Sequence, residues 1–174
     1  NQNIEKCLSH WEAYSEVSTT KEKTTKNKKK CKELILKKCR FINDKDAQLL
    51  GHKEFIRKLA RRKSKDPRVK LFTTNYDTCF EDAAGLLGIT VIDGFSFSMP
   101  RIYDARFFDM DIVRRNTSSS STNTHYLEGV YQLYKLHGST NWSRRNTNSY
   151  IIEQAENVTA ENSCMIFPAK GKYQ

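Results

Sequence analysis

An α/β fold built on a parallel sheet is what this sequence predicts, and three observations carry it. Two short β-prone runs, residues 69–74 (VKLFTT) and 131–136 (YQLYKL), each end in a polar triplet, Asn75-Tyr76-Asp77 and His137-Gly138-Ser139. A segment of helical spacing follows the first triplet, and another apolar run, residues 89–92 (ITVI), follows that segment. Strand, polar turn, helix and strand in that order make a βαβ unit, which implies parallel strands.

In chain order, residues 1–64 read as a basic helical segment and 65–174 as the αβ core, together one domain of 174 residues with 37% hydrophobic content. The net charge of +10 is unevenly placed. Residues 21–40 hold ten basic and two acidic side chains, and residues 57–70 hold eight and one. An apolar stripe of Cys31, Leu34, Ile35, Cys39 and Ile42 runs through the first block, and Phe55, Ile56, Leu59 and Ala60 precede the second, so both predict amphipathic helices. Solvated lysines over a packed apolar face are the plain reading of such helices. The sharper one is a face for nucleic acid or a protein partner, without the interleaved aromatics that base stacking uses.

The first strand ends at Thr73-Thr74. Thr78 and Glu81 have capping-box spacing, Glu81 and Asp82 put negative charge in the first helical turn, and Phe80, Ala83, Ala84 and Leu87 form the packing face. Gly88 stops the helix. Between the triplets lie an aromatic-rich stretch, residues 95–108, and a polar loop, residues 117–124. The aromatics predict a satellite core more readily than a lid, and Trp142 predicts packing near a pocket. Residues 165–167 (MIF) read as a strand stopped by Pro168, with Lys170 or Lys172 as phosphate contacts.

Two polar triplets at strand C-termini is the arrangement that ligand sites in open α/β sheets use. Taken alone, Asn75-Tyr76-Asp77 reads as an Asx turn capping the next helix, and His137 as a histidine at a tight turn that Gly138 permits and Ser139 caps. In combination they say more. TTNYD (73–77) followed by KLHGS (135–139) resembles the sirtuin-like NAD-consuming domains, whose sirtuin relatives carry a T-Q-N-I-D type motif and then H-G. The run from Val69 through Asp93-Gly94-Phe95, then residues 134–142 and 165–173, is similar to bacterial antiviral-defence members that work with a HerA-type ATPase. The resemblance spans residues 53–174.

It implies a Rossmann-like sheet with flanking helices and these roles. Asn75 contacts the nicotinamide ribose and positions water, Asp77 with the Tyr76 backbone holds the nicotinamide carboxamide, and His137 is the base. Thr73, Thr74, Gly138 and Ser139 complete the NAD-binding set, with Thr74 standing where sirtuins have glutamine. The implied activity is hydrolysis of NAD, as substrate, to nicotinamide and ADP-ribose, depleting the bacterial cytoplasm of NAD during viral attack. Implied partners are the HerA-type ATPase and further copies of the chain. The chemistry suits these residue types: nicotinamide departs as a neutral molecule, positive charge develops on the ribose, and histidine as a residue type titrates near neutral pH. One alternative is a module that binds nucleic acid or an ATPase and senses NAD without hydrolysing it. Another is NAD-dependent protein deacylation.

Deacylation is the weaker of these, because sirtuin deacylases carry four zinc cysteines as two close pairs after the histidine, whereas only Cys164 follows His137 here. The expectation is therefore no zinc ribbon and no metal. Five cysteines without a C-x-x-C pair fit a reducing compartment. No apolar run reaches a membrane span's length and no apolar signal core is seen. The sequons at Asn116, Asn141 and Asn157 read as chance matches. None of the seven glycines forms G-x-G, so the glycine-rich phosphate loop of such domains is not among these residues. The chain reads as a portion of a longer protein, without the first βα unit and a final strand.

Overall fold

A computed structural model describes residues 6, 10, 21–42, 45–63, 66–115, 124–146, 149–152 and 155–167. Its centre is a parallel sheet of β1 (Val69–Thr73), β5 (Tyr131–Lys135) and β2 (Val91–Ile92), in the order β1-β5-β2. Thr73 lies opposite Lys135, and Val91 opposite Tyr131. The predicted βαβ unit is present, with α4 (Cys79–Leu86) between β1 and β2. The two strands are not neighbours, however: β5, much later in the chain, lies between them. Being central, it buries all of its residues but Tyr134. β1 is only half-buried, with Lys70 and Phe72 facing outward.

One face of the sheet packs Leu71, Tyr131 and Leu133 against Ile56 of α3 (Leu50–Ala60) and Ala84 of α4. On the other, Phe72, Tyr134 and Phe108 stack in a column, with ring centroids 4.7 and 4.1 Å apart. Gly88, at φ +65°, ends α4 as expected, since left-handed backbone is where glycine is tolerated best. A short helix, α2 (Lys45–Gln48), precedes α3.

The basic helix α1 (Lys21–Cys39) presses Ile35 and Leu36 onto Val158 and Met165, with Cys31, Cys39 and Tyr76 alongside. Leu34, placed in the stripe from sequence, is exposed, and Leu36 takes its place facing inward. In α3, Ile56 is fully buried whereas Phe55 is largely exposed. Both changes have one reason: at roughly 100° per residue the inward face follows i, i+3, i+4 and i+7 spacing (Lys32, Ile35, Leu36 and Cys39; Leu49, His52, Lys53 and Ile56), an arc that leaves Leu34 and Phe55 on its flank.

Beyond β5 the chain forms an antiparallel hairpin, β6 (Trp142–Asn146) with β7 (Ser149–Ile152). A second antiparallel pair, β3 (Val113–Arg115) with β4 (Thr124–Tyr126), lies in the stretch between β2 and β5. Thr124, read from sequence as loop, opens β4; the rest of that loop lies outside the described residues, as do Asn116, Pro168, Lys170 and Lys172. Of the aromatic stretch Phe95 alone is buried, edge-on against Tyr103 and Trp142 at 5.2 and 5.0 Å, while Phe97 is exposed and Phe108 stacks on the sheet. Residues 165–167 form no regular strand. They are instead anchored to the second turn, by the Ile166 N–H on the His137 carbonyl at 3.0 Å. Among the described residues no helix is long and apolar enough to cross a membrane.

Candidate functional site

The first triplet is shaped by its own side chains. Asn75 N–H donates to Thr73 Oγ1 (3.1 Å), which turns the chain off the end of β1, and Cys79 N–H donates to Asp77 Oδ1 (3.1 Å), an Asx turn that starts α4. Thr78 occupies the N-cap position, but its hydroxyl donates to Asp82 Oδ2 (2.7 Å) and caps no backbone N–H. The capping box does not form because Glu81 is drawn elsewhere: its Oε1 lies 3.0 Å from Lys135 Nζ at the end of β5. A buried ammonium needs its counter-charge more than a helix needs a second cap. Burial pushes the Glu81 carboxyl above the usual carboxylate range, and the Lys135 ammonium opposes that rise.

The second triplet turns at Gly138, whose φ is +79°. A Cβ built there would lie 1.7 Å from the Cys164 carbonyl oxygen, so both conformation and space require glycine. Ser139, fully buried, donates its hydroxyl to the Tyr76 carbonyl (3.2 Å), and Thr140 N–H donates to the same oxygen (2.9 Å). Lys135 Nζ donates to Ser139 Oγ (2.7 Å), to the Tyr76 carbonyl (3.5 Å) and to the Asp77 carbonyl. Tyr76 in turn donates its hydroxyl to the Ile166 carbonyl (2.6 Å), and its ring centroid lies 6.3 Å from that of His137. Two turns separated by 62 positions in sequence are thus stitched together at the ends of adjacent strands.

The predicted residues divide by what they do here. Thr73, Tyr76, Asp77, Gly138 and Ser139 build and join the turns. Thr74 and Asn75 are exposed and His137 is partly buried. Among the described residues the Asn75 carboxamide and the His137 imidazole make no hydrogen bond, so neither is spent on holding the fold. A cleft of about 290 Å³ opens on the Gly138 side of the second turn, walled by Tyr103, Trp142, Arg144 and Tyr150, and neither Asn75 nor His137 lines it.

Sequence reasoning missed two residues. Lys135 is a charge at the end of the most buried strand, and that mismatch of residue type with burial was the available signal. Arg40, counted as one more cation in the basic block, donates through Nη2 to the carbonyls of Thr140 (3.0 Å) and Val158 (2.8 Å), fixing the end of α1 to the second turn. Burial pushes the Cys79 thiol up to about 12, reinforced by Asp77, and burial also raises Cys164, so both stay protonated and are poor nucleophiles. Among the described residues no group of three or more His, Cys, Asp or Glu is arranged to hold a metal ion.

Residues 69–162, more than half the chain, match the family model described as SIR2-like domain. No curated protein matches the chain.

Proposed function

The chain belongs to the SIR2-like domain family, and from that premise we propose that it hydrolyses NAD to nicotinamide and ADP-ribose. The observation that carries this reading is the junction of the two turns: adjacent parallel strands lead into Asn75 and His137, side chains with no hydrogen bond among the described residues, near Thr73, Asp77 and Ser139, whose side chains are spent on the turns. SIR2-like domains use NAD, which narrows the reactions such a pair serves. Loss of nicotinamide from NAD leaves positive charge on the ribose. Asn75 would orient the ribose hydroxyls and a water, and His137 would take the proton as that water attacks. Asp77 and the Tyr76 carbonyl already accept hydrogen bonds from the protein, so their first contribution is to hold Asn75 in place. A role in antiviral defence by NAD depletion, with a HerA-type ATPase and self-association, rests on the sequence resemblance.

The test is a mass balance on NAD with the intact protein. Hydrolysis produces nicotinamide and ADP-ribose in step with NAD loss and without an acylated peptide. A requirement for such a peptide identifies deacylation, and intact NAD overturns the hydrolase reading.

A second reading, a module that binds nucleic acid or an ATPase and only senses NAD, is favoured by one observation. Lys26, Lys30 and Lys37 are exposed and fall within roughly 40° of each other on α1, about opposite buried Ile35. Duplex binding that weakens steeply with salt and is lost on changing all three to Gln supports this module, whereas salt-insensitive or absent binding excludes nucleic acid.

A further inference from the structure

We infer that Lys135 is a positioning residue: its ammonium, with Glu81 as counter-ion, clamps the turn bearing Asn75 to the turn bearing His137 and sets the register between them. The catalytic consequence rests on the hydrolase reading above, while the clamp rests on geometry alone.

Lys135 is the last residue of β5, and its side chain is 1% exposed. Its ammonium faces four oxygens: Glu81 Oε1, Ser139 Oγ and the carbonyls of Tyr76 and Asp77. Those carbonyls belong to the two residues directly after Asn75, and Ser139 lies two residues after His137. Packing does not account for the lysine, because a methionine fills similar space without the cost of desolvating a charge. What the ammonium adds is three donors from one point, reaching both turns and α4 together. Main-chain bonds supply only part of that join: Thr140 N–H reaches the Tyr76 carbonyl, and Leu136 N–H reaches Thr73 below the turns. Without the ammonium the Asn75 turn keeps only those bonds and the Ser139 hydroxyl on the Tyr76 carbonyl and loses its ties to Asp77 and α4, and displacement of a reacting group by about 1 Å costs on the order of 100-fold in rate.

The experiment compares Lys135→Met, and Lys135→Met with Glu81→Gln so that no charge is left unpaired, with the wild-type intact protein. Hydrogen exchange at the Thr140 amide is expected to quicken about tenfold or more while Leu71 and Leu133 in the sheet stay protected. Nicotinamide release is expected to lose about 100-fold in kcat with KM within about threefold. Combined with Asn75→Ala, either variant is expected to subtract little more, since both act on the same group. Unchanged Thr140 protection overturns the clamp. Losses that multiply in the combined variant overturn the positioning role, because they mark a general lesion. If the wild-type protein releases no nicotinamide, the hydrolase reading fails and the exchange measurement still decides the clamp.

Discussion

The junction of turns at the ends of β1 and β5 and the basic helix α1 both carry lysines, and the two use them in opposite ways. At the junction a single ammonium is buried, faces Glu81 at 3.0 Å and reaches two turns. On α1 the charge is spread over an exposed face, where Lys29 pairs with Glu161 while both side chains stay about half exposed. Charge that sets geometry is few, buried and fully partnered. Charge that acts at a distance is many, exposed and screened by salt. Substitutions should therefore be severe in the first region and mild in the second.

The largest effect on folding is expected at Gly138. Gly138→Ala places a Cβ 1.7 Å from the Cys164 carbonyl at φ +79°, and a loss of about 4 kcal/mol or more is expected from the denaturant midpoint. A wild-type midpoint would show that the second turn rearranges freely. Next comes Glu81→Leu, which strands a buried ammonium and is expected to cost about 3 kcal/mol by the same measurement.

The smallest effect lies on α1. The Lys29 ammonium holds the exposed Glu161 carboxyl down at about 2, below its ordinary 4.5. A depressed carboxylate contributes above its unfolded value and loses that contribution as pH falls toward its folded one. The melting temperature of wild type should thus slightly exceed that of Glu161→Gln at pH 7, with the gap closing between about pH 4.5 and about 2 and shrinking in high salt. A gap that persists below pH 2 would contradict the ion-pair explanation.

The same contrast explains what could be read from sequence. β1, α4 and its stop at Gly88 are local, and periodicity with one glycine was enough to place them. The insertion of β5 between β1 and β2 is a long-range pairing that no local pattern encodes. Glu81 was misread because its cap spacing is local whereas its partner, Lys135, lies 54 positions on. The β6–β7 hairpin and the β3–β4 pair escaped notice for a related reason: short strands rich in Arg, Ser and Asn lack the alternation that marks a half-buried strand. The motif triplets themselves were legible as a pair of turns. Which of their residues are consumed in building those turns became visible only from hydrogen bonds.

Asn75 and His137 bear the most direct test. Both are changed to Ala in the intact protein, and nicotinamide release from NAD is measured alongside the thermal midpoint. Stability within about 0.5 kcal/mol of wild type, with activity reduced on the order of 100-fold or more in each variant, is the predicted result. Variants that fold like wild type and still consume NAD at its rate would contradict the roles proposed for Asn75 and His137.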